Sequence, residues 1–396
     1  MLLHGLKKYH QIFSYLFLIM MIIGGGVLNL KFVQLGIPEL GLDILKLDEF
    51  LVVILIFLMG LSALLSCIFI GWILDKLEIK FNSRKILFIG LSVINILLIY
   101  LTDFVYNEIT YSIWVICYGI NLGVSAGISY PFIFYLIPQK KRGFVAGLLV
   151  GAMYLIGASS PENWSFTTFK SESLIFIPFS IIFFLFYLIF DVFDLEKIKK
   201  NADLGPKFQI NIKLIILIMS FILFADSFGF LRVINTPMIF SQTWQSTIYF
   251  RIYIGVVHFI SALIIGYFYD KLKFINMALI SATLIFVSDF IMGYFLFNEV
   301  IRYLYPLLYA SGISTYTVIL MAMISDISSE ETINKNIGIG FGFLGWFCTY
   351  FATSSSFYLM FINFPFNIHL IITSFIAIIP ILIGIFIKIK YKSNEY

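Results

Sequence analysis

The chain has 396 residues, of which 61% are hydrophobic and 12% charged, with a net charge of +4 and a mean hydropathy of +0.99. A soluble domain carries roughly 25% charged residues, so this composition excludes an ordinary globular protein and makes lipid the expected solvent. No basic stripe stands clear of the apolar segments, which argues against a nucleic-acid partner.

In chain order, Lys7 and Lys8 lead into an apolar run at 13–32. It outlasts a secretory signal core and ends without a small-residue cleavage site, so it reads as a first span. Further runs follow at 50–72, 86–101, 111–137, 144–160 and 174–190. Each approaches the length of about 20 apolar residues that a span needs. A charged stretch, 191–213, comes next, and six more runs follow at 214–233, 248–267, 275–297, 303–324, 337–361 and 368–387. Backbone groups in lipid must be satisfied internally, and no period-two alternation suggests barrel strands. The expectation is an all-α membrane protein of twelve transmembrane helices. It divides into a first bundle at 1–190, a cytoplasmic linker at 191–213 and a second bundle at 214–396. Cys67, Cys117 and Cys348 fall inside apolar runs without metal-ligand spacing and read as small core residues.

Basic residues set the orientation. With the N-terminus inside, all Lys and Arg except Lys31, Lys46, Lys170, Arg232, Arg251 and Arg302 fall on the cytoplasmic side, which is 20 of 26. That bias places both termini in the cytoplasm, in a plasma membrane or an organelle membrane.

A repeat divides the chain. Gly71-Trp72-Ile73-Leu74-Asp75-Lys76-Leu77 closes the second run, and Gly266-Tyr267-Phe268-Tyr269-Asp270-Lys271-Leu272 closes the eighth. Both read G-x-x-x-D-K-L, half a chain apart, as expected of two six-helix halves. Gly allows close helix approach. Asp at a helix end accepts from a facing helix or pairs with a base, which suits a latch; the alternative is a generic turn at the membrane border. The first copy, with Arg84 and Lys85 after it, resembles the signature between helices 2 and 3 of the major facilitator superfamily. That family keeps its basic pair closer to the Asp, and here 77–83 lengthens the loop. The resemblance implies the major facilitator fold of two pseudo-symmetric six-helix bundles. It also implies a gating motif of Gly71, Asp75, Arg84, Lys85, Gly266, Asp270 and Lys271.

A narrower resemblance lies in the small-residue fourth run, from Gly119 through Asn121, Gly123 and Gly127 to Tyr130-Pro131, then Lys141-Arg142-Gly143 with Gly147, Gly151 and Gly157. It is similar to the oxalate/formate antiporter and monocarboxylate transporter branch. The fourth run lacks the Arg common in many facilitators, and Pro161 lies beyond the glycines, so the Gly-Pro signature of drug exporters is missing.

Ionisable residues within spans are costly and mark candidate sites. Lys31 sits near the outer end of the first run, where the resemblance implies a contact for a carboxylate; interfacial snorkelling is the alternative. Asp226 lies in the seventh run and Arg232 six residues on, at about 100° per residue, so they do not share a face. Asp226 is a candidate proton carrier, or a structural hydrogen-bonding group. Gly229 and Pro237 nearby permit a bent helix. Arg251 and His258, seven apart in the eighth run, share nearly one face: Arg251 for bidentate carboxylate binding, His258 for hydrogen bonding or proton relay. The branch places its eighth-helix Arg deeper than Arg251. Tyr118, Asn121, Tyr130, Tyr154, Asn235, Tyr309 and Tyr316 are candidate cavity-lining groups.

The resulting expectation is a monomeric, non-enzymatic secondary transporter for a small organic anion such as lactate, pyruvate or formate. It works by alternating access, with protons as coupling ion. Its substrate contacts would be Lys31, Tyr118, Asn121, Tyr130, Arg251, His258 and Tyr309, with Asp226 and His258 coupling. No catalytic constellation, metal site or cofactor is implied. The alternatives are an amino acid or other small neutral solute carried on the same fold, and a non-transporting receptor or scaffold.

Overall fold

The computed structural model describes residues 36–77, 97–158, 212–228, 248–269, 271–272, 274–295 and 298–390, with scattered positions between 87 and 94. The expected first and sixth spans fall outside these residues, as do Lys31, Arg84, Lys85, Asn235 and Asp270 and almost all of the linker.

The described chain is helical. The first helix, α1, runs Glu49–Lys76. It starts where the Asp48 carboxylate accepts from the backbone N–H groups of Phe50 (2.9 Å) and Leu51 (3.1 Å), which supplies partners for otherwise orphaned donors. Helix α2, Glu108–Ser129, opens on a capping box between Asn107 and Thr110, and Pro131 restarts a short α3, Pro131–Leu136. Then come α4, Arg142–Ala158, α5, Ile212–Phe228, α6, Ile248–Tyr269, α7, Phe274–Tyr294, and α8, Glu299–Asp326. The run Ile333–Phe361, α9, contains a π-helical stretch, Phe341–Cys348. The last is α10, Phe366–Lys390. Seven of the described helices (α1, α2 with α3, α6, α7, α8, α9 and α10) are long and apolar enough to cross a membrane. Helices α4 and α5, at 17 residues each, are shorter.

The apolar surface fits lipid as the solvent of these helices. Leu65, Phe69 and Trp72 on α1 and Leu382 and Phe386 on α10 are exposed, a face that fits hydrocarbon and not water. Cys117 is exposed as well, whereas Cys67 and Cys348 are buried. Cys117 is therefore on an outer helix face and not in the core as its apolar setting suggested.

The two copies of the repeated motif behave alike. Lys76 lies over the Trp72 ring at 4.7 Å, and Lys271 lies over the Tyr267 ring at 4.0 Å and donates to its hydroxyl at 2.7 Å. An aromatic ring beneath an ammonium group is the side-chain chemistry of a membrane border. The glycines of both copies admit a helix from the other half of the sequence. A Cβ on Gly71 would stand 2.7 Å from the Asn334 carbonyl oxygen, so α9 crosses α1 there. A Cβ on Gly266 would stand 2.5 Å from the Gly143 carbonyl oxygen, where α4 crosses α6. Neither gap holds a methyl group. Gly266→Val is expected to separate α4 from α6 and to lower the detergent-solubilised melting temperature. Exposed Gly90, which has open space around it, should tolerate Ala without a measurable change.

Candidate functional site

A polar seam joins α4, α5, α6 and α8. Asp226, on α5 and 8% exposed, accepts a 2.6 Å hydrogen bond from the Tyr316 hydroxyl on α8. On α6, His258 is 4% exposed. Its Nδ1 lies 2.8 Å from the Ser314 hydroxyl, which also reaches the His258 carbonyl oxygen at 3.1 Å. The Tyr154 ring of α4 stacks flat on His258, with centroids 4.1 Å apart and planes at 15°. The Tyr154 hydroxyl is 3.4 Å from the Thr317 hydroxyl, and Ser261 and Ser311 pair at 2.8 Å. Buried polar groups need such partners, because an unpaired one costs about 1–3 kcal/mol. The α8 spacing explains the convergence: Ser311, Ser314, Thr315 and Thr317 follow each other within two turns, and Tyr316 points at the neighbouring α5.

The seam mixes groups from both halves of the sequence. Tyr154 comes from the first, and Asp226, His258, Ser314, Tyr316 and Thr317 from the second. Besides the Ser261–Ser311 pair, it contains a carboxylate, an imidazole and four hydroxyl residues. Groups of these kinds are able to hold and pass protons and to bind polar solutes.

Asp226 is also anchored from behind. His369 on α10, fully buried, has Nε2 at 2.6 Å from the Phe228 carbonyl oxygen. A carbonyl only accepts, so this nitrogen carries the hydrogen. The imidazole also rests 4.6 Å from the Phe228 ring. That fixes the end of the described α5 two residues beyond Asp226.

A second set of contacts joins the halves at the end of the helices that carries the repeated motif. Arg142, at the start of α4, is fully buried and pairs with Asp326, at the end of α8, at 2.9 Å. Its other N–H groups donate to the carbonyls of Ser325 (3.0 Å) and Phe134 (3.1 Å), and its guanidinium stands 4.7 Å over the Phe134 ring. Asp75 accepts from the side-chain amide of Asn334, at the start of α9. Between this end and the seam, Tyr130 stacks on Phe341 at 3.7 Å. Apart from those to Phe134, each contact crosses from the first half of the chain to the second.

The other candidates are placed as follows. Tyr118 is buried in an apolar cluster, 5.6 Å from Trp114, on the α2 face toward α1. Asn121 is buried one turn on. Tyr309 is half-buried and parallel to Tyr305 at 5.7 Å. Arg251 lies on α6, with its side chain outside the described part. The structure thus gathers Asp226, His258, Tyr154 and Tyr316 into one seam and keeps Tyr118 with a different cluster. Arg142, Asp326, Asn334 and Ser314 did not emerge as site residues from the sequence. Arg142 was hidden by a neighbouring Lys pair that reads as a topology signal. Asp326 was hidden by its place at the very end of an apolar run.

Comparison with known proteins agrees with this architecture. Residues 3–161 match the family model described as Major Facilitator Superfamily. No curated protein matches the sequence. Among solved structures, the human organic anion transporter MFSD10 (TETRAN) is similar with a TM-score of 0.64 at 13% identity, covering 96% of this chain and 99% of that one. The proton:xylose symporter XylE, of the major facilitator superfamily, bound to 6-bromo-6-deoxy-D-glucose, is similar with a TM-score of 0.59 at 16% identity, covering 98% of this chain and 95% of that one. These matches are transporters and not enzymes. The early part of the chain, residues 3–161, is thus similar to the Major Facilitator Superfamily, and nearly all of the chain shares the fold of these two transporters.

Proposed function

We propose that this protein is a secondary active transporter that moves a small organic anion of the monocarboxylate class by alternating access, coupled to protons. Its full complement is twelve spans in two six-helix bundles, with both termini and the motif-bearing end in the cytoplasm. The observation that carries the reading is the seam at the junction of the two halves, where Asp226–Tyr316 and His258–Ser314 sit beneath the Tyr154 ring. An ionised Asp226 repels an anion in a low-dielectric site. A protonated Asp226 does not, so proton and anion travel together. His258 passes the proton along the Ser314 hydroxyl. Tyr154 covers His258 from the opposite half, so rocking of the halves uncovers the imidazole on one side only. Lys31 and Arg251 draw the anion in from the outer side. The fold shared with an organic anion transporter and the resemblance of the 119–143 segment to the monocarboxylate branch support the substrate class.

A second reading has its own observation. The hydroxyls of Ser261, Ser311, Ser314 and Thr317 suit a neutral, hydroxyl-rich or zwitterionic solute, and a sugar symporter has the same fold. Proteoliposomes with an acid-outside gradient separate the two. Saturable uptake of labelled lactate, pyruvate or formate that rises with the gradient is expected. Uptake confined to sugars or amino acids would select the second reading, and none of either at any pH would sink both.

A further inference from the structure

The π-helical stretch of α9 carries a donor that no described residue satisfies. Trp346 lies in Phe341–Cys348, and its indole Nε1 is buried without a hydrogen-bond partner among the described residues. An indole N–H can only donate, and lipid offers no water to satisfy it. The contrast is Trp114, whose Nε1 donates to the Leu98 carbonyl at 2.8 Å. Trp346 is also held rigidly. Its ring is parallel to Tyr350 at 5.9 Å and 4°, and it packs against the cluster containing Met59 and Tyr118. Its carbonyl sits against α1, 3.3 Å from where a Gly60 Cβ would stand. It therefore lies where a helix of the second half meets one of the first.

The depth matches the seam. Trp346 is twelve residues beyond Asn334, and Tyr316 is ten before Asp326. At a helical rise of 1.5 Å per residue, both stand about 15–18 Å from the contacts that tie the motif-bearing ends. π-Helical turns are rare and concentrate at functional sites, because the extra residue re-aims the side chains of that turn.

We propose that the Trp346 Nε1–H is a substrate-binding donor that takes a carboxylate oxygen of the transported anion. This rests on the transport reading and adds to it a neutral ligand for the charged end of the substrate. Such a donor recognises a carboxylate without a second cation at the centre.

The test combines uptake kinetics in proteoliposomes with the indole 1H–15N signal of Trp346 in detergent, assigned with Trp346→Phe. A hydrogen bond to a charged acceptor contributes about 1.5–3 kcal/mol. Trp346→Phe should therefore raise KM for lactate or formate by about 10- to 100-fold and leave Vmax near its wild-type value. The wild-type indole signal should move downfield as sodium lactate or formate is added, and lactamide should not move it. An unchanged KM in Trp346→Phe with intact wild-type uptake overturns the inference and leaves the transport reading standing. Where the wild type carries neither anion, the transport reading fails separately. The indole signal then decides alone: movement with an amino acid, which carries a carboxylate, keeps the inference, and movement with xylose alone or stillness across the panel overturns it. If Trp346→Phe does not fold, Trp346→Tyr supplies both the assignment and the kinetics.

Discussion

Asp226→Asn should abolish proton-driven accumulation while leaving exchange intact. The substitution is nearly isosteric and keeps an acceptor for the Tyr316 hydroxyl, which now donates to Asp226 at 2.6 Å. It removes the one described group of the seam that alternates between an anion and a neutral acid. If the proton rides on Asp226, a pH step of about one unit stores about 1.4 kcal/mol and supports about tenfold electroneutral accumulation of a monocarboxylate. In Asp226→Asn that ratio should fall to about one. Counterflow of labelled against unlabelled substrate needs no net proton movement and should persist. Accumulation of wild-type size in this variant would remove Asp226 from coupling. Tyr316→Phe is the milder companion: it deletes the hydrogen bond and not the charge, so it should shift the pH dependence of uptake without abolishing accumulation.

The second large effect concerns the buried ion pair. Breaking such a pair by deleting one partner costs about 3–5 kcal/mol, because a charge is left buried and alone. Arg142 and Asp326 are both fully buried, on helices from opposite halves, at 2.9 Å. Arg142→Ala should therefore favour arrangements in which α4 parts from α8 at the motif-bearing end. Native Cys67 reads this out. It is fully buried in the α1–α9 junction, with its sulfur 4.0 Å from the Ile337 carbonyl. In a background where Cys117 and Cys348 are Ser, a small thiol reagent should modify Cys67 in Arg142→Ala at least about tenfold faster than in wild type, since each 1.4 kcal/mol is tenfold in an equilibrium. The charge-reversed pair Arg142→Asp with Asp326→Arg should slow the reaction again. Unchanged labelling in Arg142→Ala would show that the pair does not hold that end shut.

Much of the architecture was legible in the sequence for a physical reason. Lipid allows the backbone only helices and closed barrels, so an apolar run of spanning length without period-two alternation is a helix wherever its neighbours lie. The α6 helix is the plainest instance: the run at 248–267 became Ile248–Tyr269. The G-x-x-x-D-K-L repeat was legible because close approach and a membrane border each demand particular residue types at particular places. The seam was half legible. Asp226 and His258 stood out because charge inside a span is expensive. Their partners Tyr316 and Ser314 lie among many hydroxyl residues, and sequence alone does not say which face of α8 meets which helix. Arg142–Asp326 is a contact between positions 184 residues apart, and nothing local to either residue announces it. The indole of Trp346 depends on a π turn, which no periodicity marks.

The lysines resting on Trp72 and Tyr267 bear on how the protein feels its bilayer. Helix α1 runs 28 residues from Glu49 to Lys76, about 42 Å at 1.5 Å per residue. That equals a whole membrane with its headgroups, about 40–45 Å, and exceeds the hydrocarbon slab of about 30 Å. With Lys76 moored at one border, a thinner membrane shortens the room at the other, and α1 must lean. It leans against α9, whose backbone touches it at Gly71 and Gly338. Membrane thickness is thus a mechanical load on the α1–α9 junction itself, and lipid tail length becomes a control on how readily that junction parts.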